Sequence, residues 1–312
     1  MSQESINIPL NNTELENWHQ NGFLLLKNIL KEDETKKLLN IVDRIILKHH
    51  SEKLKEKNTK FAHGKEYFNI HNPFDYTKQL DYLLDHPKTF DIVTYLMGPY
   101  IQAMSCHIFV RHPSSSVTTN IGKFHTDSGP ALQRILPTRE NLPLQLKVQF
   151  FLTDINTDNA SNFIAIPGSH IKRVTYHHPY CLIPECNKYI EQGQLPPDAV
   201  QIKAKAGDVL IHSLSLWHAV ASNKSPNTRR SISIRYGQMW FKDYYFKITK
   251  HILKRMTPRQ RRLLGDFGNN VRGDVAYRPP DDHVPLMLGE KAAAYGWSLD
   301  WMQNKSINEG YL

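Results

Sequence analysis

The chain has 312 residues, of which 40% are apolar and 22% charged, with thirteen Phe, fourteen Tyr and five Trp; this composition can bury a core without staples and excludes an intrinsically disordered chain. Its formal charge of +9 favours an anionic partner. Three cysteines, Cys106, Cys181 and Cys186, are too few and too odd in number for a disulfide framework.

No apolar run approaches the roughly 20 residues needed to cross a bilayer. The start, MSQESINIPLNN, lacks the basic and apolar regions of a signal peptide, and the final NEGYL matches neither a prenylation box nor a peroxisomal signal. A cytoplasmic protein that does not engage a membrane is the resulting expectation.

Taken in order, NNTELENWHQNG predicts a helix that begins with a capping box between Thr13 and Glu16 and stops at Gly22. FLLLKNIL then predicts a buried strand, and KEDETKKLLNIVDRIILKHH an amphipathic helix with its aliphatic residues at helical spacing. The lysine-rich stretch over residues 50–66 predicts a loop or frayed helix end. PKTFDIVTYLMG predicts a helix entered at Pro87 and ended at Gly98, so the first third reads as mostly helical.

From Tyr100 the pattern changes to short runs of β type separated by turn residues: YIQAMSCHIFVRH, LQLKVQFFLTD, NFIAIPG, VQIKAKAG, GDVLIHSLSL and RRSISIRYGQMW. Such spacing predicts a sandwich or barrel of antiparallel strands. After about Tyr244 helix and loop return. No internal repeat is visible, and one domain spans residues 1–312: a mostly helical part over 1–99, a β-core over 100–240 and a helix and loop extension over 241–312. Two basic runs, residues 49–60 and 247–262, read as solvated helix faces. Neither has the interleaved aromatics of a nucleic-acid stacking platform, so nucleic acid is not expected as a partner.

His125 and Asp127 in KFHTDSGP are two residues apart, and in extended backbone both side chains leave the same face. Taken alone, the pair fits a hydrogen-bonded surface His and Asp as well as half of a metal site, because a chain with sixteen His yields about one such pair by chance. Downstream, GDVLIHSLSLWHAVASNKSPNTRRSISIRYG carries His218 near the far end of an apolar strand, then a polar loop and a strand headed by Arg229 and Arg230. If the two strands are antiparallel neighbours, His218 approaches the arginine, and a barrel can bring both near His125 and Asp127. Two imidazoles and one carboxylate with open positions opposite are the ligand set of non-haem Fe(II) oxygenases, and a guanidinium nearby binds a carboxylate bidentately.

In this ordered series, HQNGFLLLKNIL, HTD, LTDINTDNASNFIAIPGSH, GDVLIHSLSLWHAVASN and RRSISIRY, the chain resembles the phytanoyl-CoA dioxygenase family of Fe(II)- and 2-oxoglutarate-dependent oxygenases, over residues 12–240. The resemblance implies a mainly β fold with flanking α-helices, a double-stranded β-helix of jelly-roll or cupin-like form. It implies His125, Asp127 and His218 as iron ligands and Arg229 as the anchor of the distal 2-oxoglutarate carboxylate, with Arg230 in its place if the loop register shifts by one. Fe(II), 2-oxoglutarate and O2 are the implied cofactor and cosubstrates, and succinate and CO2 the implied coproducts. Where the family has an Asn-Gly turn, this chain has Ala160 and Ser161, which puts the local turn in question. Asp127 is present where halogenating relatives carry a small residue, which disfavours halogenation.

Lys147 and Gln149 leave one face of their strand: the interior, as contacts to cosubstrate or substrate, or the outer face, as solvated residues. Asn72 in FNIHNP carries a weaker form of the same suggestion. His170 in PGSH reads as a hydrogen-bonding residue of a turn. His107, His112, His177, His178 and His212 have no partner at ligand spacing, and structural or surface roles are expected for them. Trp217 is expected in the packing behind His218, and Trp240, Phe241, Tyr244, Tyr245 and Phe246 in a core seal or a lid. The expected reaction is hydroxylation of an aliphatic C–H in a small organic substrate, a biosynthetic intermediate or acyl derivative that is anionic if the positive charge is meaningful. Desaturation, epoxidation or rearrangement is the alternative outcome, and a non-catalytic jelly-roll binding protein the distant one.

Overall fold

The computed structural model describes residues 9–53, 67–114, 121–128, 143–172, 181–241, 248–266 and 282–291. Two antiparallel sheets form its centre. Six strands make the larger, in the order β1 (Phe23–Leu26), β7 (Val209–Ser213), β4 (Gln145–Phe151), β9 (Arg229–Gln238), β3 (Ile101–Arg111) and β2 (Tyr67–His71). The smaller sheet has the order β6 (Val200–Gln201), β5 (Phe163–Ala165) and β8 (His218–Val220).

Side chains alternate along each strand, and in the larger sheet that alternation separates two environments. Ile70, Ile108, Val110, Val148, Phe150, Val209, Ile211, Ile232, Ile234 and Tyr236 all face one core. Helices from both ends of the chain cover it: α2 (Glu32–Lys53) through Leu38, Ile41, Val42 and Ile45, α3 (Pro87–Met97) through Phe90 and Val93, and the C-terminal helices α5 (Lys250–Arg255), α6 (Pro258–Leu263) and α7 (His283–Leu288). Tyr236 is fully buried there, and its hydroxyl donates to the carbonyl of Leu84 at 2.9 Å. The outer face of the smaller sheet has its own core, where Ile164, Trp217 and Ala219 pack with Ile183 and Cys186 beside α4 (Pro184–Glu191). Trp217 therefore lies behind His218, as expected from their adjacency. Cys106, Cys181 and Cys186 are buried and, among the described residues, form no disulfide.

The N-terminal third is mostly helix, with one departure from expectation, the strand β2. That third supplies β1 and β2, the two edge strands of the larger sheet; within FLLLKNIL, pairing with β7 stops at Leu26. The capping box sits one turn-start earlier than predicted. Asn11 caps α1 (Asn12–Asn21), accepting from the Glu14 amide at 2.9 Å while Glu14 accepts from the Asn11 amide at 2.8 Å. Both Asn11 and Thr13 have the required side chain, and the β-region backbone of Asn11, φ −73° and ψ 169°, selects it.

A second departure concerns residues 207–218, which do not form one strand. β7 ends at Ser213, a turn closed by Leu216 N–H to the Ser213 carbonyl at 3.2 Å follows, and His218 opens β8 in the other sheet. His218 and Arg229 consequently sit on opposing sheets rather than on neighbouring strands. Trp240 is 59% exposed and seals no core. Residues 54–66, His177, His178, Tyr244, Tyr245 and Phe246 lie outside the described residues. Among those described, no helix is long and apolar enough to cross a membrane.

Gly22 shows how tightly the N-terminal segment is locked to PGSH. It ends α1 at φ 77°, and a Cβ added there would stand 2.4 Å from the His170 ring. Gly22→Ala is expected to cost about 1–3 kcal/mol, from left-handed strain plus overpacking. Urea unfolding measures it, and a smaller His170→Ala side chain in the same protein should recover the steric part.

Candidate metal centre

His125 and His218 form an isolated antiparallel bridge, with reciprocal N–H to carbonyl bonds of 2.9 and 3.0 Å. The Asp127 amide donates to the Leu214 carbonyl at 3.0 Å. Backbone pairing alone thus brings together three side chains whose ligand atoms all lie within 4.8 Å of one another. Asp127 Oδ1 is 3.5 Å from His125 Nε2, and Oδ2 is 3.6 Å from His218 Nε2. Donors bound about 2.1 Å from one ion on a single octahedral face are about 3 Å apart, so a small closure fits this set to a divalent metal.

The imidazoles are oriented for that task. Nδ1 of His125 meets the Lys123 carbonyl at 2.8 Å and Nδ1 of His218 the Leu216 carbonyl at 2.9 Å. A carbonyl only accepts, so each Nδ1 carries a proton, and Nε2, the ring atom that faces Asp127, is the one left to ligate a metal. Phe163 stacks on the His218 ring at 4.8 Å between centroids. Burial by itself raises the Asp127 pKa, but Lys147 and the two histidines hold it well below the usual carboxylate range. Burial lowers the pKa of His125, yet its bond to Asp127 brings it above its ordinary value. His218, buried and beside His125, falls well below.

These residues open into a cavity of about 370 Å³ between the two sheets. Its larger-sheet wall follows strand register. Lys147 faces His212 on one side and Arg235 on the other, Ser233 lies between Gln149 and His107, and Arg111 stands directly opposite Arg229. Both Lys147 and Gln149 therefore face the interior. The Lys147 ammonium bonds to Asp127 Oδ2, and Gln149 donates to the Ser231 hydroxyl at 2.8 Å.

Arg229 is buried, 4% exposed, and has no carboxylate partner among the described residues; its Nη1 donates to the Ser161 carbonyl. Burial, then the nearby Arg111, pull its pKa down to about 9, so it keeps its charge at neutral pH. Arg230 turns to the other face and pairs with Asp43 at 2.6 Å. Strand parity thus separates the two arginines. Asn72 is not brought to the cavity: it takes a left-handed conformation and its amide bonds to Asp75 at 2.8 Å. Asn69, three residues earlier on β2, lines the cavity instead.

Sequence reasoning passed over Tyr67, His107, Arg111, His212 and Arg235, all of which line the cavity. A signal was present: Ser105, His107 and Arg111 alternate with Cys106, Ile108 and Val110, as Ser231, Ser233 and Arg235 alternate with Ile232 and Ile234. A larger open groove, about 610 Å³, runs beside α2 from Lys31 to Tyr82, but among the described residues His125, Asp127 and His218 are the one cluster able to hold a metal.

Comparison with known proteins agrees with this geometry. A family model described as phytanoyl-CoA dioxygenase matches residues 18–231, and the chain belongs to that family of iron- and 2-oxoglutarate-dependent oxygenases. It is similar to an uncharacterized protein of Mycobacterium tuberculosis, 27% identical over 138 residues, which are 43% of this chain and 45% of that protein. It is also similar to the dioxygenase olcK of Penicillium canescens, 25% identical over 125 residues, 39% and 36% of the two chains. These matches span less than half the length of the curated relatives. In fold it resembles HygX of Streptomyces hygroscopicus, solved with nickel and 2-oxoglutarate (TM-score 0.56, 16% identity, 75% of this chain and 90% of that one). It likewise resembles the carbocyclase SnoK of nogalamycin biosynthesis (TM-score 0.54, 18% identity, 73% and 84%).

Two outcomes follow. Ser161, fully buried at φ 63° with a hydroxyl that has no partner among the described residues, occupies the backbone conformation glycine favours. Ser161→Gly is expected to raise stability by about 1 kcal/mol, read as a higher urea midpoint. His107 has its pKa lowered to about 3 by burial, then by His71, so below about pH 6.5 the unfolded chain binds a proton that the folded one refuses. Stability is lost as pH falls from about 6.5 toward 3, and His107→Gln is expected to flatten that slope in unfolding curves across the window.

Proposed function

We propose that the chain, acting as one catalytic domain, is an Fe(II)- and 2-oxoglutarate-dependent dioxygenase that hydroxylates an aliphatic C–H of a small anionic organic substrate in a reducing, cytoplasmic setting. The two sheets serve as the facing walls of a jelly-roll barrel. The observation that carries this reading is the presence, in one cavity, of a two-His, one-carboxylate cluster and a buried guanidinium with no counter-charge among the described residues.

His125, Asp127 and His218 would hold the iron through Nε2, a carboxylate oxygen and Nε2. Bound iron supplies the redox chemistry that couples decarboxylation of 2-oxoglutarate, to succinate and CO2, with delivery of one O2 oxygen to a C–H bond. The chain itself positions the reactants. Arg229 would receive the distal carboxylate of 2-oxoglutarate bidentately. Arg111, a like charge directly across the strands, is offset by the same anion. Gln149 lines the same cavity and is held by its bond to Ser231, while Phe163, stacked on the His218 ring, would shield that side from water.

The substrate assignment rests on charge. Arg111, Lys147, Arg229 and Arg235 line the cavity with Asp127 as the only carboxylate among its described residues, and this positive field would attract an anionic substrate as well as 2-oxoglutarate. Asp127 fills the position halide would need, which favours oxygen transfer. Rearrangement is the second reading, favoured by the likeness to the carbocyclase SnoK and to SnoN, an epimerase (TM-score 0.54, 17% identity, 72% of this chain and 82% of that one); the same residues would serve it, and the product decides.

Anaerobic addition of Fe(II) and 2-oxoglutarate is expected to produce a weak visible charge-transfer band, absent in His125→Ala and Asp127→Ala. Arg229→Ala should weaken 2-oxoglutarate binding by about 100-fold. Metabolite fractions that raise succinate formation above its uncoupled background then identify the substrate. A wild-type protein with no band and no succinate in any fraction overturns the reading.

A further inference from the structure

Lys147 and His212 stand directly opposite each other in the β4–β7 register, and the reaction proposed above gives neither of them a role at the metal. The Lys147 side chain is 16% exposed, and its ammonium has Asp127 as sole partner among the described residues. His212 is fully buried. Its Nδ1 lies 3.0 Å from the Ser213 carbonyl, so Nδ1 carries the proton and Nε2 presents a lone pair. That Nε2 has no hydrogen-bond partner among the described residues. A buried acceptor left unsatisfied is costly, and a donor that reaches it would relieve that cost. Burial, and next the adjacent Lys147, lower the pKa of His212 to about 3, consistent with a neutral ring that accepts.

The lysine meets a conflict when metal binds. A divalent ion on Asp127 adds two positive charges to the carboxylate that already neutralises an ammonium, inside a cavity where Arg235 is also close across β4–β9. Charges at such separations repel one another appreciably even in a screened interior. The ammonium has an unused acceptor across the neighbouring strand, within the span of cross-strand partners.

We propose that Lys147 is a two-position counter-ion: in the metal-free protein its ammonium neutralises Asp127 and keeps the three ligands together, and on metal binding it passes to Nε2 of His212. The inference rests on the metal-site reading above and deepens it. Lys147 acts on the metal through Asp127 and is therefore a positioning residue. In its second position it stands beside Arg235 on the cavity wall, where the two cations would meet an anionic substrate group.

Isothermal titration of the full chain with Ni(II), together with thermal melting of the metal-free protein, tests this. Lys147→Gln is expected to bind Ni(II) roughly tenfold more tightly, yet to melt about 3 °C lower without metal, because Asp127 has lost its counter-charge. Lys147→Arg, which keeps the cation, should bind no more tightly than the native protein. His212→Phe keeps a ring but removes the acceptor, and should weaken Ni(II) binding roughly tenfold in the native background and not at all in the Lys147→Gln background. Weaker binding by Lys147→Gln would mean that the lysine is a fixed donor to a metal-bound Asp127. An equal cost of His212→Phe in both backgrounds would mean that the histidine only packs. Either result overturns the inference while leaving the metal site standing, whereas absence of Ni(II) binding by the native protein removes the metal-site reading itself.

Discussion

The two faces of β9 must satisfy opposite demands, and the rest of the molecule is arranged around that constraint. Ile232, Ile234 and Tyr236 enter the helix-covered core, while Arg229, Ser231, Ser233 and Arg235 line or border the cavity. Because the period of a strand is two, a one-residue slip would bury Arg230 and expose the isoleucines. Pairing with β3 and β4 on either side over most of its length prevents that slip. The same register sets the neighbours of each cavity residue, so Arg111 opposite Arg229 and Lys147 opposite Arg235 are consequences of one choice of phase.

Electrostatics in the cavity follow from this enforced face. Four basic side chains and a single carboxylate among the described lining residues give the cavity wall an excess of positive charge. The neutral histidines do not increase it. His107 and His212, both with pKa lowered to about 3, chiefly by burial, add polarity without charge. The hydrophobic stabilisation comes from elsewhere, from the helices at both chain ends packed on the opposite face of the same sheet.

The β-type runs from Tyr100 onward were legible because alternation and turn residues are local signals, and six of them hold strands of the structure. The edge strand β2 was not, since its YFNIH has one fully buried position and owes its conformation to pairing with β3. Asn11 and Thr13 offered equivalent caps, and backbone conformation rather than residue type chose between them. His218 was legible as a ligand candidate, but its placement in a second sheet depended on a turn after Ser213 that an apolar run such as VLIHSLSLW does not announce.

What the sequence determined by itself is the chemistry available: a His-x-Asp pair, a distal His, two adjacent arginines, and the alternating polar positions that could share a cavity with them. These are properties of residue type and spacing along one strand or loop, and they survive without knowledge of any partner. Tertiary structure decided which of them meet. The backbone bridge between His125 and His218, the selection of Arg229 over Arg230, Asn69 in the cavity where Asn72 is not, and the facing of Lys147 by His212 all depend on pairing between strands far apart in the chain. Register between distant strands is set by burial of whole faces at once, a sum over many residues that no single segment carries.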